Sequence, residues 1–393
     1  MLELKDGVFW VGYVDWDLRS FHGYSTPHGS TYNAYLILDE KPTLIDTVKH
    51  YGFEEMFSRI KQLIDPGKIQ YIISNHTEMD HSGSIEKLIE YCPNAEVVCS
   101  PKGKEGLLKH FKKDWKFKVV KTGDTLNIGK RNLQFFLMPM VHWPDSMATY
   151  SGSDSILFPN DAFGQHYASH ERFADEVGSD IAIEELEKYY ANIILPYGAQ
   201  VLSALGTFGD IKLDMICTSH GLIWRKKEDI EKIVSLYHKW ANYKSNKQVT
   251  IIYDTMWHST EKLATRLYEL VDSAGIEVKL INLKLTDHSD AITDIMRSRV
   301  ILVGSPILNS GVLPQMAGFL TYLRGLKPKN RFGLCFGSYG WSKAGFVEFE
   351  NYLKNAGIEL IDEGRYFQYV PQKGDFDNLA DLLPKIKEAL EKE

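Results

Sequence analysis

The chain is poor in sulfur. Its four cysteines, Cys92, Cys99, Cys217 and Cys335, are scattered through 393 residues and form no C-x-x-C pair. That excludes a paired-cysteine metal site and a redox dithiol; free buried thiols in a reducing compartment are expected, hence a cytoplasmic protein. No apolar run approaches the length of a membrane span. The opening residues, MLELKD, lack the basic and apolar regions of a signal peptide, so no secretory leader is expected. No Lys/Arg-rich block with interleaved aromatics occurs, and the net charge is −7, so nucleic acid is not an expected partner. Internal repeats and low-complexity segments are absent as well.

What remains is a chain longer than one core usually supports, so two domains are expected. The first half reads as strands with long loops. Residues 31–38 (TYNAYLIL) and 43–46 suggest paired strands. Residues 53–64 have helical spacing and stop at Asp65-Pro66-Gly67. Residues 69–74 (IQYIIS) read as a buried strand, 85–91 as a short helix, and 96–99, 116–120, 133–138 and 155–158 as further strands. Sheets with flanking helices point to a layered α/β sandwich. An amphipathic stretch at 225–244 closes this half, and Ser245-Asn246-Lys247-Gln248 is the linker candidate, dividing the chain into 1–247 and 248–393. The second half alternates strand and helix: strands at 249–253, 277–282, 300–304, 332–336 and one near 358–369, with helices at 259–274, 291–298, 314–326, 344–356 and from 378 to the end. Five strands with crossover helices predict a doubly wound parallel sheet.

The densest chemistry lies at residues 75–83 (NHTEMDHSG), where two imidazoles and two carboxylates fall within six positions. Groups so close repel or lose solvation unless a cation holds them. His76, Glu78 and Asp80 alternate, which in an extended loop points them one way, and His81 turns into the following helix. Three further residues follow apparent strand ends: His142 before Trp143-Pro144-Asp145-Ser146, Asp161 after Leu157-Phe158-Pro159-Asn160, and His220 before Gly221. Taken singly, each has a bland alternative, and a lone His after a strand is more often a structural residue than a ligand; the spacing relative to the first motif is what lifts them.

A second constellation sits in the other half. Tyr253-Asp254-Thr255-Met256-Trp257-His258-Ser259-Thr260-Glu261 joins a strand to a helix, and free N–H groups at a helix N-terminus bind an anion. The phosphate of flavin mononucleotide (FMN) fits that turn. The loops Gly304-Ser305-Pro306-Ile307-Leu308-Asn309 and Gly337-Ser338-Tyr339-Gly340-Trp341 follow the third and fourth strands, where open α/β sheets bind ligands. Tyr339 and Trp341 offer faces for an isoalloxazine ring.

The order H-x-E-x-D-H, then a lone His, Asp and His, resembles the metallo-β-lactamase superfamily in its flavodiiron branch, and the second half resembles the flavodoxin domain of the same proteins. The resemblance covers about the whole chain. It implies an N-terminal metallo-β-lactamase-like αββα sandwich and a C-terminal flavodoxin-like sheet. It also implies a non-haem diiron site: His76, Glu78 and His142 on one iron, Asp80, His81 and His220 on the other, and Asp161 between them. Glu78 replaces the second His of the hydrolase pattern H-x-H-x-D-H, giving a harder, more anionic set that suits iron. His28 and Tyr197 resemble family residues that face the substrate. FMN would be held by Thr255, Met256, Trp257, His258, Ser259 and Thr260, by Pro306, Ile307, Leu308 and Asn309, and by Ser338, Tyr339, Gly340 and Trp341. Ile307 departs from the usual Thr, and Trp257 or His258 stands where a flavodoxin glycine is usual, so hydroxyls carry more of the binding. The implied activity is reduction of dioxygen to water, of nitric oxide to nitrous oxide, or both, with electrons passing through FMN. The implied partners are a separate rubredoxin-like donor and a second copy of the chain in a head-to-tail homodimer or dimer of dimers. The competing expectations are a metallo-hydrolase carrying the flavodoxin half as an appendage, which Glu78 argues against, and a non-enzymatic electron shuttle, which the full ligand set argues against.

Overall fold

The computed structural model describes residues 2–209 and 211–392. The chain divides into two compact units: Met1–His22, Thr26–Tyr189 and Tyr197–His238 form one, and Gly23–Ser25, Tyr190–Pro196 and Lys239–Glu393 the other.

Two sheets build the first unit. A seven-stranded sheet runs in the order Leu2–Lys5, Val8–Trp10, Tyr35–Ile37, Thr43–Ile45, Tyr71–Ser74, Glu96–Cys99, Phe117–Val119. A five-stranded sheet runs Thr125–Asn127, Asn132–Leu137, Met147–Ser151, Ile156–Phe158, Met215–Ile216. Alternation along the strands sorts the side chains between two cores. Tyr35, Ile37, Ile45, Ile73 and Val98 pack with Leu133, Phe135, Met147, Ile156 and Phe158 between the sheets. Leu36, Leu44, Ile72 and Val97 face the other way, onto Phe53, Met56, Phe57 and Ile60 of the helix Phe53–Leu63. Those four residues recur at i, i+3, i+4 and i+7, which makes one apolar stripe.

The structure departs from the sequence reading in several places. Residues 31–38 are two strands: Ser30–Tyr32 pairs with Tyr13–Asp15, and Tyr35–Ile37 joins the large sheet. Asn33 interrupts them because its amide donates to the carbonyls of Thr218 and Gly221. The helix Pro101–Phe111 was not anticipated, since the glycines of PKGKEG mask its pattern. Ser100 caps it by accepting from Gly103 N, and proline occupies its first turn. Gly106 is required there, because a Cβ would lie 2.8 Å from Thr77 Oγ1.

The second unit is a parallel sheet in the order Glu277–Asn282, Asn246–Tyr253, Ser298–Gly304, Arg331–Tyr339, Ile358–Leu360. Arg365–Gln368 pairs with the far end of Arg331–Tyr339, so the expected last strand is two strands and the sheet has six. The linker candidate is mostly strand, since Asn246–Tyr253 begins inside it. Leu263, Leu267 and Val271 of the helix Ser259–Asp272 pack on Val249, Ile251, Val300 and Leu302.

Candidate metal centre

Four loops carry the donor atoms of the first unit. The strand Tyr71–Ser74 delivers His76 and Glu78, and the helical turn Met79–Ser82 follows at once. Asp80 and His81 therefore stand on a helical turn, and the extended alternation expected from sequence stops at Glu78. Thr47 anchors this turn: its N–H and its hydroxyl both donate to the His81 carbonyl, at 2.9 and 2.6 Å. His142, Asp161 and His220 come from the loops after Asn132–Leu137, Ile156–Phe158 and Met215–Ile216. Asp46 ties two of these loops together. Its carboxylate accepts from Asn75 N at 2.8 Å, from Asn75 Nδ2 at 3.1 Å and from Asn160 Nδ2 at 3.2 Å.

The donors form two groups, His76–Glu78–His142–Asp161 and Asp80–His81–His220. Asp161 faces both. Its Oδ2 lies 3.3 Å from His142 Nε2 and 3.6 Å from His76 Nε2, while its Oδ1 lies 3.0 Å from His81 Nε2 and 3.3 Å from His220 Nε2. Glu78 Oε2 is 3.3 Å from His76 Nε2, and Asp80 Oδ2 is 3.2 Å from His220 Nε2. With metal–ligand bonds of about 2.1 Å, two ligands on one ion stand about 3.0–3.5 Å apart. The observed spacing is that of ligands around two ions sharing one carboxylate.

Orphaned atoms make the same point. Both Asp80 oxygens, both His81 ring nitrogens and Asp161 Oδ2 are buried without a hydrogen-bond partner. In folded proteins buried polar atoms are nearly always paired. Two of the remaining rings are aimed by a second bond. His76 Nδ1 lies 3.0 Å from Asp145 Oδ2, which also accepts from Thr77 N, and His220 Nδ1 donates to the Thr31 carbonyl at 2.8 Å. Both arrangements leave Nε2 for a metal. Ser219 Oγ donates to Asp161 Oδ1 at 3.0 Å.

The electrostatics suit a cation. Burial alone would raise the Glu78 carboxyl, yet hydrogen bonds from His22 and His76 hold it down at about 2. Burial opposes charge on His81, but Asp80 and Asp161 push it up to about 9. Burial likewise opposes ionised Asp161, and His81 and His142 pull it far below the carboxylate range. Carboxylates held ionised around imidazoles driven toward positive charge are a setting for metal ions. The set of imidazoles and carboxylates without thiolate fits a hard, redox-active pair such as iron.

The cluster opens on one edge. His220, His81 and Asp161 are sealed, whereas the side chains of His142 and Glu78 are 13% and 10% exposed. His22 stands at that edge, half exposed, with Nε2 2.6 Å from Glu78 Oε1. Sequence reasoning missed it, because a lone His in Phe21-His22-Gly23 has no spacing relation to the motif. Tyr189 was missed too; its buried ring lies 6.1 Å from that of His220. His28, expected near the metals, is 54% exposed, faces Glu185 at 3.7 Å and lies against Tyr167. Tyr197 ends the turn Leu195–Tyr197 and caps the helix Gly198–Phe208. Neither belongs to the donor groups. His166 is fully buried 4.8 Å from the His220 ring, while His170 is exposed.

The second unit carries a pocket of about 550 Å³ at its strand ends, lined by Met256, Trp257, Ser259, Pro306, Ile307, Leu308, Asn309, Ser338, Tyr339, Gly340 and Trp341, and also by Tyr369 and Val370. Thr255 lies beneath it with a buried, unpartnered hydroxyl. Thr260 is buried with Oγ1 3.4 Å from Ser338 Oγ. His258 turns toward Glu261 and precedes the helix Ser259–Asp272 with φ of 61°. Trp257 and Trp341 are 80% and 91% exposed, leaving aromatic faces for a planar ring. An orphaned hydroxyl at a helix N-terminus beside such faces fits FMN.

Residues 31–221 match the ODP family beta lactamase, and residues 251–387 match flavodoxin. A nitric oxide reductase of Moorella thermoacetica is 44% identical over 391 residues, 98% of each chain. Among solved structures, the flavodiiron protein from Giardia intestinalis aligns with a TM-score of 0.95 at 34% identity, over 99% of this chain and 97% of its own. The chain belongs to the flavodiiron proteins. The rubredoxin oxygen:oxidoreductase from the anaerobe Desulfovibrio gigas aligns with a TM-score of 0.96 at 39% identity, over 99% and 98%. As a flavodiiron protein, with a lactamase-like and a flavodoxin-like half, the chain is an oxidoreductase that takes FMN and two non-haem irons.

Proposed function

We propose that the chain reduces dioxygen to water, nitric oxide to nitrous oxide, or both, at the cluster around Asp161, with electrons passed through FMN. The observation that carries this reading is Asp161 presenting one oxygen to each donor group, in a chain that also holds a flavin pocket. His76, Glu78 and His142 would hold one iron and Asp80, His81 and His220 the other, with Asp161 offering an oxygen to each. The irons and flavin, when bound, bind the gas, polarise it and deliver the electrons that its reduction needs. The protein fixes the geometry. Asp145 and Thr31 hold the rings of His76 and His220, and Ser219 holds Asp161. The edge beside Glu78 and His142 admits the gas, and His22 meets it there with a ring nitrogen on Glu78. With two ions bound, the fixed donor groups would hold the reacting atoms close together, which lowers the entropic part of the barrier.

Trp257, Tyr339 and Trp341 would offer faces to the FMN ring, and Thr255, Ser259 and Thr260 would hold its phosphate. His28 and Tyr197 are assigned to the substrate side of the family's site by resemblance only; His22 has the better geometric claim. The flavin pocket and the donor cluster belong to separate units, so we assign electron transfer to a head-to-tail pair of chains, in a dimer or dimer of dimers. A rubredoxin-like protein is the donor, a role supported by the name of the Desulfovibrio gigas relative and by the lack of C-x-x-C pairs in this chain. Among the described residues no helix is long and apolar enough to cross a membrane. We place the protein in the cytoplasm.

The test is anaerobic reduction followed by rapid mixing with each gas while flavin and iron absorbance are recorded. Reoxidation of both, in step with gas consumption, is expected. Flavin that reoxidises while iron stays reduced, or native protein containing zinc alone with hydrolase activity, would overturn the reading in favour of a metallo-hydrolase.

A further inference from the structure

Three tyrosines lead away from the donor cluster, and the reduction of the gas uses none of them. Tyr32 is fully buried, and its ring meets the His220 ring edge-on, 5.7 Å between centroids. Tyr13 lies parallel to Tyr32 at 6.3 Å, and Tyr51 lies 6.3 Å from Tyr32 and 5.8 Å from Tyr13. Tyr51 is 49% exposed, so the series ends at solvent. The hydroxyls of Tyr32 and Tyr51 are 3.2 Å apart, and both donate to Asp15 Oδ2, at 3.2 and 2.5 Å. Asp15 is itself buried. The Tyr32 hydroxyl points to Asp15, which makes the series a poor proton wire into the cluster. Its ring borders the cluster, which suits an electron leaving the ring while the proton goes to the carboxylate.

We propose that Tyr32, Tyr51 and Asp15 form an escape route for oxidising equivalents, used when dioxygen reaches the cluster with too few electrons to reduce it completely. This inference rests on the function proposed above. Tyr32 gives one electron toward the incompletely reduced dioxygen and its phenolic proton to Asp15, leaving a neutral phenoxyl radical beside a protonated carboxyl. Tyr51 then supplies an electron to Tyr32. Asp15 returns the proton to Tyr32 as it takes the one from Tyr51, so the unpaired electron sits on the half-exposed ring. A small thiol in solution completes the sequence by giving a hydrogen atom to Tyr51 and becoming a thiyl radical, and Asp15 releases its proton to solvent. Lys49 Nζ lies over both rings, 5.0 Å from the Tyr32 centroid and 5.8 Å from that of Tyr51. A cation there opposes electron loss from the rings, which keeps the route silent while flavin supplies electrons.

The test uses the holoenzyme, photoreduced anaerobically with half the electrons needed and mixed with dioxygen in the presence of a nitroso spin trap. Freeze-quenched samples are read by electron paramagnetic resonance, and the adduct is located by peptide mass spectrometry. A tyrosyl signal with the trap on Tyr51 or Tyr13 is expected. Tyr32→Phe should lower the adduct yield about tenfold at unchanged iron and flavin content. Asp15→Asn, which keeps the shape and removes the proton acceptor, should do the same. Dioxygen consumed without any tyrosine adduct, or equal yields in both variants, would overturn the route and leave the tyrosines a packing role. No dioxygen consumed at all would overturn the dioxygen half of the proposed function, and the route with it, while leaving nitric oxide reduction to its own rapid-mixing test.

Discussion

His22 Nε2 stands 2.6 Å from Glu78 Oε1, although the two residues are 56 positions apart. Glu78 thus has one oxygen directed at His76 and His142 and the other held by an imidazole on the open edge. The carboxylate that distinguishes this site from a three-histidine hydrolase site is also the one whose orientation is fixed from outside.

His22→Phe should keep the ring against Phe21 and lose the bond to Glu78. A hydrogen bond to a charged group is worth about 1.5–3 kcal/mol, so turnover should fall about tenfold or more. Gas-electrode rates alongside metal analysis check this; iron content should stay at the native level.

Asp161→Asn and Glu78→Gln remove charge from the donor groups. Both should lower the iron bound per chain and abolish gas reduction, and the flavin absorption spectrum should stay native. Metal analysis with visible spectroscopy decides it, since full iron loading with turnover would contradict the assignment.

Asp145→Asn acts one shell further out. Its Oδ2 orients His76 and accepts from Thr77 N. Loss of such a partner costs metal affinity about 10–100-fold. Competition against a chelator measures the change directly.

Thr255→Val removes a buried hydroxyl without a partner, next in sequence to Met256 of the flavin pocket. A lost hydrogen bond of about 1–1.5 kcal/mol predicts roughly tenfold weaker FMN binding. Titration of flavin-free protein reads it, and Thr260→Val should act in the same direction.

Chelation of the metals should destabilise the first unit selectively. The donors Glu78, Asp80 and Asp161 would then face one another and the imidazoles in a buried space, with no cation between them. Calorimetry should show one transition move down, while the transition that carries flavin release stays in place.

Much of the architecture was legible because its signals are local. The helix Phe53–Leu63 shows in its apolar spacing, the strand Glu96–Cys99 in a short β-rich run, and the second unit in its regular alternation. The remainder depends on tertiary partners. Residues 31–38 read as one strand because nothing local shows that Asn33 will turn its amide to Thr218 and Gly221. Asp80 reads as extended because the turn Met79–Ser82 is one helical turn long, too short for periodicity. His22 and Tyr189 reach the cluster from segments whose sequence carries no motif. His28 stands out only by resemblance to a family residue, and its imidazole is exposed and directed at Glu185.

Asp46 carries a consequence for how such a protein can change over time. One buried carboxylate grips Asn75, next to His76, and Asn160, next to Asp161. The two loops are therefore not free to vary separately. An insertion or a shifted residue in either one pulls on the same anchor and displaces the other. Successful lineages and successful laboratory libraries should alter these loops jointly or leave both alone, with diversity accumulating at the exposed rim around His22 and His142.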